Sequence, residues 1–160
     1  MAKPIPKPMS NDGEEKEPAE IRVTYSSGLK MSERPMVSSS MSAYEMVKRY
    51  FDGTMEAHES FVVLLVDRGN RLKGVYRHST GGLHGTVADP KLVFAVALKT
   101  LSSAMILVHN HPSGQLRPSE EDIRLTKKFV EAGKFLDLPV NDHLIVTAEG
   151  YYSFADQGMI

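Results

Sequence analysis

Two histidines separated by one residue give this sequence its clearest chemical feature, in the segment His109-Asn110-His111-Pro112. They follow an apolar run, Ala104 to Val108, that is typical of a buried strand. Because side chains at positions i and i+2 of an extended chain share a face, His109 and His111 can point in the same direction. Zinc binds imidazole nitrogen at about 2.0–2.1 Å, and catalytic zinc sites commonly combine two histidines with one carboxylate and a water.

The nearest carboxylate that could complete such a site is Asp122, in the predicted first turn of the following helix. The same stretch has a simpler interpretation, because Ser119 followed by three acidic residues is typical of a helix start with Ser119 as the N-cap. That interpretation explains Ser119 and Asp122 without a metal. The presence of both histidines, the serine and the aspartate in one short segment favours a metal site.

A hydrolytic site also needs a group that moves a proton and a donor for a developing oxyanion. Ser119 is the candidate donor. Glu59 is the candidate base, because it lies just before the apolar run Phe61–Val66, which a sheet could place beside the strand that ends at His109. Glu56 is the alternative base. On sequence alone, the favoured interpretation of Glu59 is an ordinary charged residue at the entrance of a strand.

The composition of the 160-residue chain is typical of a single globular domain. Its formal net charge is -1, which argues against a broad nucleic-acid-binding surface but not against a local basic patch. The absence of cysteine excludes disulfides and thiolate ligands, so a metal must bind to histidine, carboxylate or water. Without an apolar run of about 18 residues or a signal-peptide pattern, the chain is expected to be cytoplasmic, with no membrane span.

The order of the predicted elements indicates one α/β or α+β domain with a mixed sheet over residues 20–160. Residues 1–19 are rich in proline, lysine and glutamate, and are predicted to be a disordered arm. Capping patterns predict helix starts at Ser42 and at Asp89-Pro90. The predicted strands are residues 21–25, 60–67, 72–76, 86–87, 104–108, 140–146 and 151–154.

A long amphipathic helix is predicted from Ser119 to Leu136, directly after the loop that carries the histidines. Its apolar residues recur at helical spacing and are predicted to face the core. These core candidates are Ile123, Leu125, Phe129, Val130 and Phe135.

The histidine pair with the following serine and aspartate resembles the JAMM metalloprotease motif of JAB/MPN domains. The sequence is still more similar to the bacterial RadC family, from about residue 40 to the C-terminus. Spacing and flanking residues agree together in several segments. These are Glu59-Ser60-Phe61, Gly85-Thr86, Asp89-Pro90, His109 to Gly114, Ser119 to Asp122, Leu125-Thr126, Asp142-His143 and Tyr152-Ser153-Phe154.

This resemblance implies a JAB/MPN fold, a curved mixed sheet flanked by helices, with zinc on His109, His111 and Asp122. It implies that Glu59 is the base and that Ser119 is the oxyanion donor, in agreement with the roles argued from the residues. Enzymes with the JAMM motif cleave peptide or isopeptide bonds by attack of water. The implied partner is therefore a peptide or protein substrate.

The chain departs from the wider pattern in two ways. Asn110 stands between the histidines, where eukaryotic deubiquitinase relatives usually have serine or threonine and RadC-like proteins tend to have asparagine. Longer RadC proteins carry an N-terminal helix-hairpin-helix that binds DNA, and residues 1–41 do not resemble one. The chain is therefore similar to the short, single-domain RadC-like proteins, and the family's traditional association with DNA repair has little support in this sequence.

Two further functional hypotheses stay open beside a hydrolase of amide bonds. One is a non-catalytic module that binds DNA or a repair or recombination partner and holds zinc only structurally, and the other is a metal-dependent nuclease. Zinc is the preferred metal, although sites of histidine and aspartate also bind iron, cobalt or manganese. His143 is predicted to form structural hydrogen bonds, with a role behind a metal ligand as the alternative.

Overall fold

The computed structural model describes residues 22, 24–26, 28–80 and 88–160, apart from the side chain of residue 80. Within these ranges the strands are β1 (Ser60–Val66), β2 (Leu72–Thr80), β3 (Ala104–Asn110), β4 (Val140–Val146) and β5 (Tyr151–Ser153). The α-helices are α1 (Ser40–Val47), α2 (Pro90–Lys99) and α3 (Glu120–Phe135), with short 3₁₀ turns at Met31–Glu33 and Lys48–Phe51.

The strands form one mixed sheet in the order β2-β1-β3-β4-β5. β3 and β4 are parallel, whereas the other neighbouring pairs are antiparallel. This arrangement confirms the predicted α+β class, and it is consistent with the JAB/MPN-like architecture that the resemblance implies. Because parallel neighbours need a crossover, α3 runs from the end of β3 back to the start of β4. The first turn of α3 therefore lies near the strand end that carries the histidines.

The two central strands, β1 and β3, are buried along their whole lengths. Side chains alternate between the two faces of a strand. In β3, Met105 and Leu107 pack in the cluster that includes Phe129 of α3. Ile106 and Val108 pack on the other face, in the cluster that contains residues of α1. By the same alternation His109 faces the α3 side and Asn110 faces the α1 side.

Of the predicted starts of α1 and α2, the start of α2 is confirmed and the start of α1 is not. Asp89 caps α2 by accepting a hydrogen bond from the Lys91 N–H at 2.9 Å. The predicted start at Ser42 is wrong, because the N-cap is Ser39, whose hydroxyl accepts from the Ser42 N–H at 3.1 Å. Ser42 instead accepts from the Ser39 N–H at 2.9 Å, three residues into the capping box. A run of serines offers several equivalent caps, and the sequence does not distinguish among them.

One predicted core residue of α3 is wrong. Phe129 is fully buried, but Phe135 is 90% exposed. The buried positions of α3 are Asp122, Thr126, Phe129 and Gly133. Phe135 lies off that stripe, in the last turn of the helix. Gly133 allows a close approach there, because a Cβ at this position would lie 2.5 Å from the Leu138 carbonyl oxygen.

Several expectations concern residues that the structure does not describe. The arm at 1–19 and the short strand at 86–87 lie outside the described residues. So do two residues of the predicted edge strand at 21–25, and its described residues belong to no strand. The boundary of the domain at residue 20 stays a prediction. Among the described residues, no helix has the length and apolar character needed to cross a bilayer.

Candidate metal centre

The two histidine side chains meet at the end of β3. Their Nε2 atoms lie 3.0 Å apart, as expected for residues that share a face of an extended chain. His109 is 2% exposed, and it is paired with Phe61 in the register between β1 and β3. His111 follows the last residue of the strand, and its N–H continues the ladder by donating to the Val146 carbonyl at 3.0 Å. Backbone pairing therefore fixes the direction of both rings.

Asp122 approaches this pair from the first turn of α3. Its Oδ1 lies 3.0 Å from His109 Nε2, and its Oδ2 lies 3.6 Å from His111 Nε2. The Ser119 N–H and hydroxyl both donate to Asp122 Oδ2 at 2.7 Å, while Ser119 Oγ accepts from the Asp122 N–H at 3.1 Å. The helix-cap interpretation of Ser119 is thus correct. The same bonds leave Asp122 Oδ1 directed at His109 Nε2.

Glu59 reaches the site from the opposite side, one residue before β1. Its Oε1 lies 4.0 Å from His109 Nε2, and its side chain is 22% exposed. Glu59, His109 and His111 each offer an atom that could bind a metal, and these atoms lie within 4.8 Å of one another. Glu56, the alternative base, is exposed in the preceding turn. The structure thus brings Glu59 to the histidines, together with Asp122.

Burial and mutual charge shift the acidities of these groups in different directions. Burial alone would raise the pKa of the Asp122 carboxyl, but hydrogen bonds from His109 and His111 hold it far below its ordinary value. Burial lowers the pKa of His111, but the Asp122 carboxylate and the Gln115 carbonyl together raise it above the ordinary value. The pKa of Glu59 is raised, chiefly by burial, although His109 and His111 lower it in part. Glu59 is therefore the weaker acid of the two carboxyls.

The spacing of the histidines and Asp122 fits a tetrahedral metal ion. Bonds of about 2.0–2.1 Å at tetrahedral angles separate the ligand atoms by about 3.3 Å. His109 Nε2 lies 3.0 Å from both His111 Nε2 and Asp122 Oδ1, and the contact of Asp122 with His111 Nε2 is made by its other oxygen, Oδ2, at 3.6 Å. Imidazole nitrogen with carboxylate oxygen suits zinc, and also iron, cobalt or manganese. These residues could therefore hold a divalent cation, with Glu59 standing farther out at 4.0 Å.

Asn110 has a role that the sequence did not predict. Its Oδ1 accepts from the Ser60 N–H at 2.7 Å, and its Nδ2 donates to the carbonyls of Met55 and His58 at 2.8 and 3.0 Å. These bonds hold both sides of the residue that supplies the candidate base, Glu59. A buried polar residue inside an apolar strand needs partners. That requirement was the available signal, but it does not identify the partners.

Asp142 and Ser153 explain two other segments of the resemblance. Asp142 Oδ1 accepts from the N–H groups of His143 and Ala155 at 2.7 and 3.0 Å, and its Oδ2 accepts from the Ser153 hydroxyl at 2.7 Å. Burial raises the pKa of Asp142 although all these donors lower it. Phe154 stacks on the His143 ring with centroids 5.0 Å apart. This network fixes the chain after β5 against β4, behind the histidines.

An open groove with largely apolar walls lies beside the N-terminus of α3. It has a volume of about 640 Å³. Its walls come from both sides of Ser119 and from the C-terminal part of the chain. They are Leu116, Arg117, Pro118, Glu120, Ile123, Tyr152 and Met159. The residues that line it flank Ser119 but do not include His109, His111 or Asp122.

The sequence matches a protein family described as the RadC-like JAB domain over residues 37–159. A UPF0758 protein of Flavobacterium johnsoniae is 45% identical over 102 residues, which cover 64% of this chain and 44% of that protein. A UPF0758 protein of Porphyromonas gingivalis is 39% identical over 131 residues, which cover 81% of this chain and 57% of that protein. The chain thus spans about half the length of these curated relatives.

Proposed function

Because this chain belongs to the RadC-like JAB domain family, we propose that it is a metal-dependent hydrolase of the JAMM type that cleaves a peptide or isopeptide bond. The observation that carries this proposal is the convergence of His109, His111 and Asp122, with contacts of 3.0 to 3.6 Å, beside a second carboxylate at 4.0 Å. A site that only stabilises a fold needs ligands but no base. The extra acid, Glu59, therefore favours catalysis.

The ligands in this proposal are Nε2 of His109, Nε2 of His111 and Oδ1 of Asp122, and the metal is zinc. A bound zinc ion lowers the pKa of a water to about 7 and polarises a substrate carbonyl. Glu59 takes a proton from the attacking water and passes it to the leaving amine. Burial raises the pKa of Glu59, which matches this carboxyl to a task of accepting and then releasing a proton.

Ser119 is the proposed donor to the oxyanion that develops on the substrate. In the structure its hydroxyl proton points to Asp122 Oδ2 at 2.7 Å. The donor role therefore requires the hydroxyl to rotate toward the substrate, while the Ser119 N–H keeps its own bond to Asp122 Oδ2 at 2.7 Å. Asp122 would thus stay oriented while the hydroxyl changes its partner.

The test combines metal analysis with assays of hydrolysis. Purified protein is stripped with a chelator, reloaded with zinc, and incubated with a peptide library and with isopeptide-linked peptides, with cleavage read by mass spectrometry. Glu59→Gln is compared with Glu56→Gln, a matched change in the exposed turn before it. We expect the wild type and Glu56→Gln to bind stoichiometric zinc and cleave, and Glu59→Gln to bind zinc without cleaving.

Three results would contradict the proposal. A wild type that takes up no zinc would remove the metal centre. Zinc-dependent cleavage of DNA, with no cleavage of peptides or isopeptides, would support the nuclease alternative. Salt-dependent DNA binding that survives both Glu59→Gln and His109→Ala, without any hydrolysis, would support a non-catalytic binding module.

A further inference from the structure

His143 is a fully buried histidine that lies directly behind one of the proposed ligands. It belongs to β4 and has 0% exposure. Its Nε2 lies 2.9 Å from His109 Nδ1, the ring nitrogen of His109 that does not face His111 and Asp122. Its Nδ1 lies 2.6 Å from the Thr126 hydroxyl oxygen. Each nitrogen of this ring therefore has one partner.

Thr126 determines which atoms donate and which accept in these hydrogen bonds. The Thr126 hydroxyl donates to the backbone carbonyl of Asp122 at 2.6 Å. A carbonyl can only accept, and a hydroxyl has a single proton. Thr126 Oγ1 must therefore accept from His143 Nδ1, which has to carry a hydrogen.

The charge and tautomer of His143 determine which nitrogen of His109 carries a hydrogen. The His143 ring lies against Phe61 and Phe154, with ring centroids 5.8 and 5.0 Å away. Neither of its nitrogens bonds to a carboxylate, and burying an unpaired charge is costly, so the ring is neutral. A neutral ring with hydrogen on Nδ1 has a bare Nε2, which accepts from His109 Nδ1. In its neutral form, His109 therefore keeps its own Nε2 bare.

A single hydrogen bond to the backbone places the hydrogen of His111 on Nδ1 as well. Its Nδ1 lies 2.6 Å from the Gln115 carbonyl oxygen, which can only accept. Once both histidines are neutral and carry hydrogen on Nδ1, no proton lies between their Nε2 atoms, which are 3.0 Å apart. Two lone pairs and the Asp122 carboxylate then face one point. This arrangement calls for a cation.

We propose that Thr126 and His143 are positioning residues that fix the tautomer and the orientation of His109, so that its Nε2 is available to the metal. The proposal rests on the metal site of the proposed function, and it assigns roles that the ligand motif does not contain. The hydrogen bonds that run from His109 through His143 and Thr126 end at the backbone carbonyl of Asp122. We call this chain of hydrogen bonds the relay. It connects a proposed ligand on β3 with a proposed ligand on α3.

Thr126→Val tests the relay with little change in shape. Loss of the hydroxyl removes the acceptor of His143 Nδ1, so His143 is free to carry its hydrogen on Nε2 instead. His109 would then have to accept at Nδ1 and carry hydrogen on Nε2, where it blocks the metal. Changes to groups that orient a metal ligand typically cost about 10- to 100-fold in affinity. We expect a loss of zinc affinity in that range, and recovery in Thr126→Ser.

Thr100→Val is the matched control. Thr100 Oγ1 donates to the Val96 carbonyl four residues earlier at 2.9 Å, as Thr126 does to Asp122, but its other neighbours are the Ala97 carbonyl and the Ser102 hydroxyl rather than a histidine. We expect Thr100→Val to bind zinc as the wild type does. Circular dichroism and thermal unfolding without metal show whether each variant folds.

A second measurement reads the tautomer without any metal. Long-range proton–nitrogen NMR spectra of the apo protein distinguish imidazole that carries hydrogen on Nδ1 from imidazole that carries it on Nε2. In spectra recorded where the His109 ring is neutral, we expect it to carry hydrogen on Nδ1 in the wild type, Thr126→Ser and Thr100→Val, and on Nε2 in Thr126→Val. A role of Thr126 in packing alone would change stability but not this signal.

The outcomes separate this inference from the proposed function. If the wild type binds zinc and Thr126→Val binds it equally well with the same His109 tautomer, the relay is refuted and the metal site stands. If the wild type binds no zinc, the proposed function fails. The relay then has no metal ligand to position, so this inference fails as well. If Thr126→Val does not fold, a wild-type spectrum with hydrogen on His109 Nε2 still refutes the relay, and hydrogen on Nδ1 supports it.

Discussion

The two carboxylates that face the histidine pair are held in different ways. Asp122 has a side chain that is 11% exposed and lies inside a capping box, where Ser119 bonds directly to its carboxylate. Glu59 has a side chain that is 22% exposed, and Asn110 holds the backbone on both sides of it. In the proposed function Asp122 is a metal ligand, which must keep one oxygen at a fixed distance, and Glu59 is a base, which must change its protonation and its partner in each cycle. Asp122 is fixed by hydrogen bonds to its side chain, and Glu59 is positioned by hydrogen bonds to the backbone of His58 and Ser60.

The largest effect is expected from His109→Ala, because His109 contacts both carboxylates. Removing the ring takes away one ligand and the end of the Thr126–His143 relay. We expect stoichiometric zinc to fall to none, with complete loss of hydrolysis. Elemental analysis after gel filtration and the peptide assay check this result. Full zinc content in a folded His109→Ala variant would show that the site is not where we place it.

Comparing Glu59→Gln with Asp122→Asn tests the difference between the two carboxylates directly. We expect Glu59→Gln to keep its zinc and to lose about 10²- to 10⁴-fold in the rate of hydrolysis, the usual contribution of a general base. Asp122→Asn should instead lose zinc affinity. Competition with a chromogenic chelator measures the affinity, and stopped assays measure the rate. If zinc loss follows the change at Glu59 rather than at Asp122, the assigned roles are reversed.

Asn110→Ala sharpens the comparison by releasing the base without touching a ligand. The change removes the three hydrogen bonds that Asn110 makes and leaves the buried Ser60 N–H without its acceptor. We expect the free energy of unfolding to fall by about 2–4 kcal/mol. Urea unfolding measures the loss. Zinc affinity should stay close to that of the wild type, since His109 and His111 lie on the other face, and a fall like that of His109→Ala would contradict this separation.

The smallest effect is the stabilisation of the folded chain by its metal. A ligand that binds only the folded state at ten times its Kd stabilises that state by about 1.4 kcal/mol. We expect thermal unfolding of the wild type to move to higher temperature with added zinc, and that of His109→Ala not to move. The same shift in both proteins would point to zinc binding elsewhere.

The elements with strong local patterns could be predicted from the sequence. β1 and β3 follow from their apolar runs, and α3 follows from its cap and its helical periodicity. The two errors arise where local rules do not distinguish alternatives. Any serine in the run at 38–40 or Ser42 could cap α1, and only the position on the helix face separates Phe135 from Phe129.

The candidate site divides in the same way. His109, His111 and Asp122 lie within one short segment, so their spacing alone suggested a common site. The partners of His109 and Asn110 are 34 and 50 positions away in the chain, His143 on β4 and Ser60 on β1. Which strands become neighbours is decided by the packing of the whole sheet. Burial of a polar side chain signals that a partner exists but not which residue it is.

Gly133 lets the end of α3 pack closely against the segment at Leu138 that leads into β4. Both Asp122 and Thr126 are carried by this helix, and Asp122 lies about 16 Å along its axis from Gly133. A methyl group at Gly133 would meet the Leu138 carbonyl oxygen, so either the end of the helix or the segment at Leu138 would have to move. Any displacement of α3 would move Asp122 and Thr126 together relative to His109 on β3. The size of residue 133 therefore bears on the geometry of a site at the opposite end of the helix.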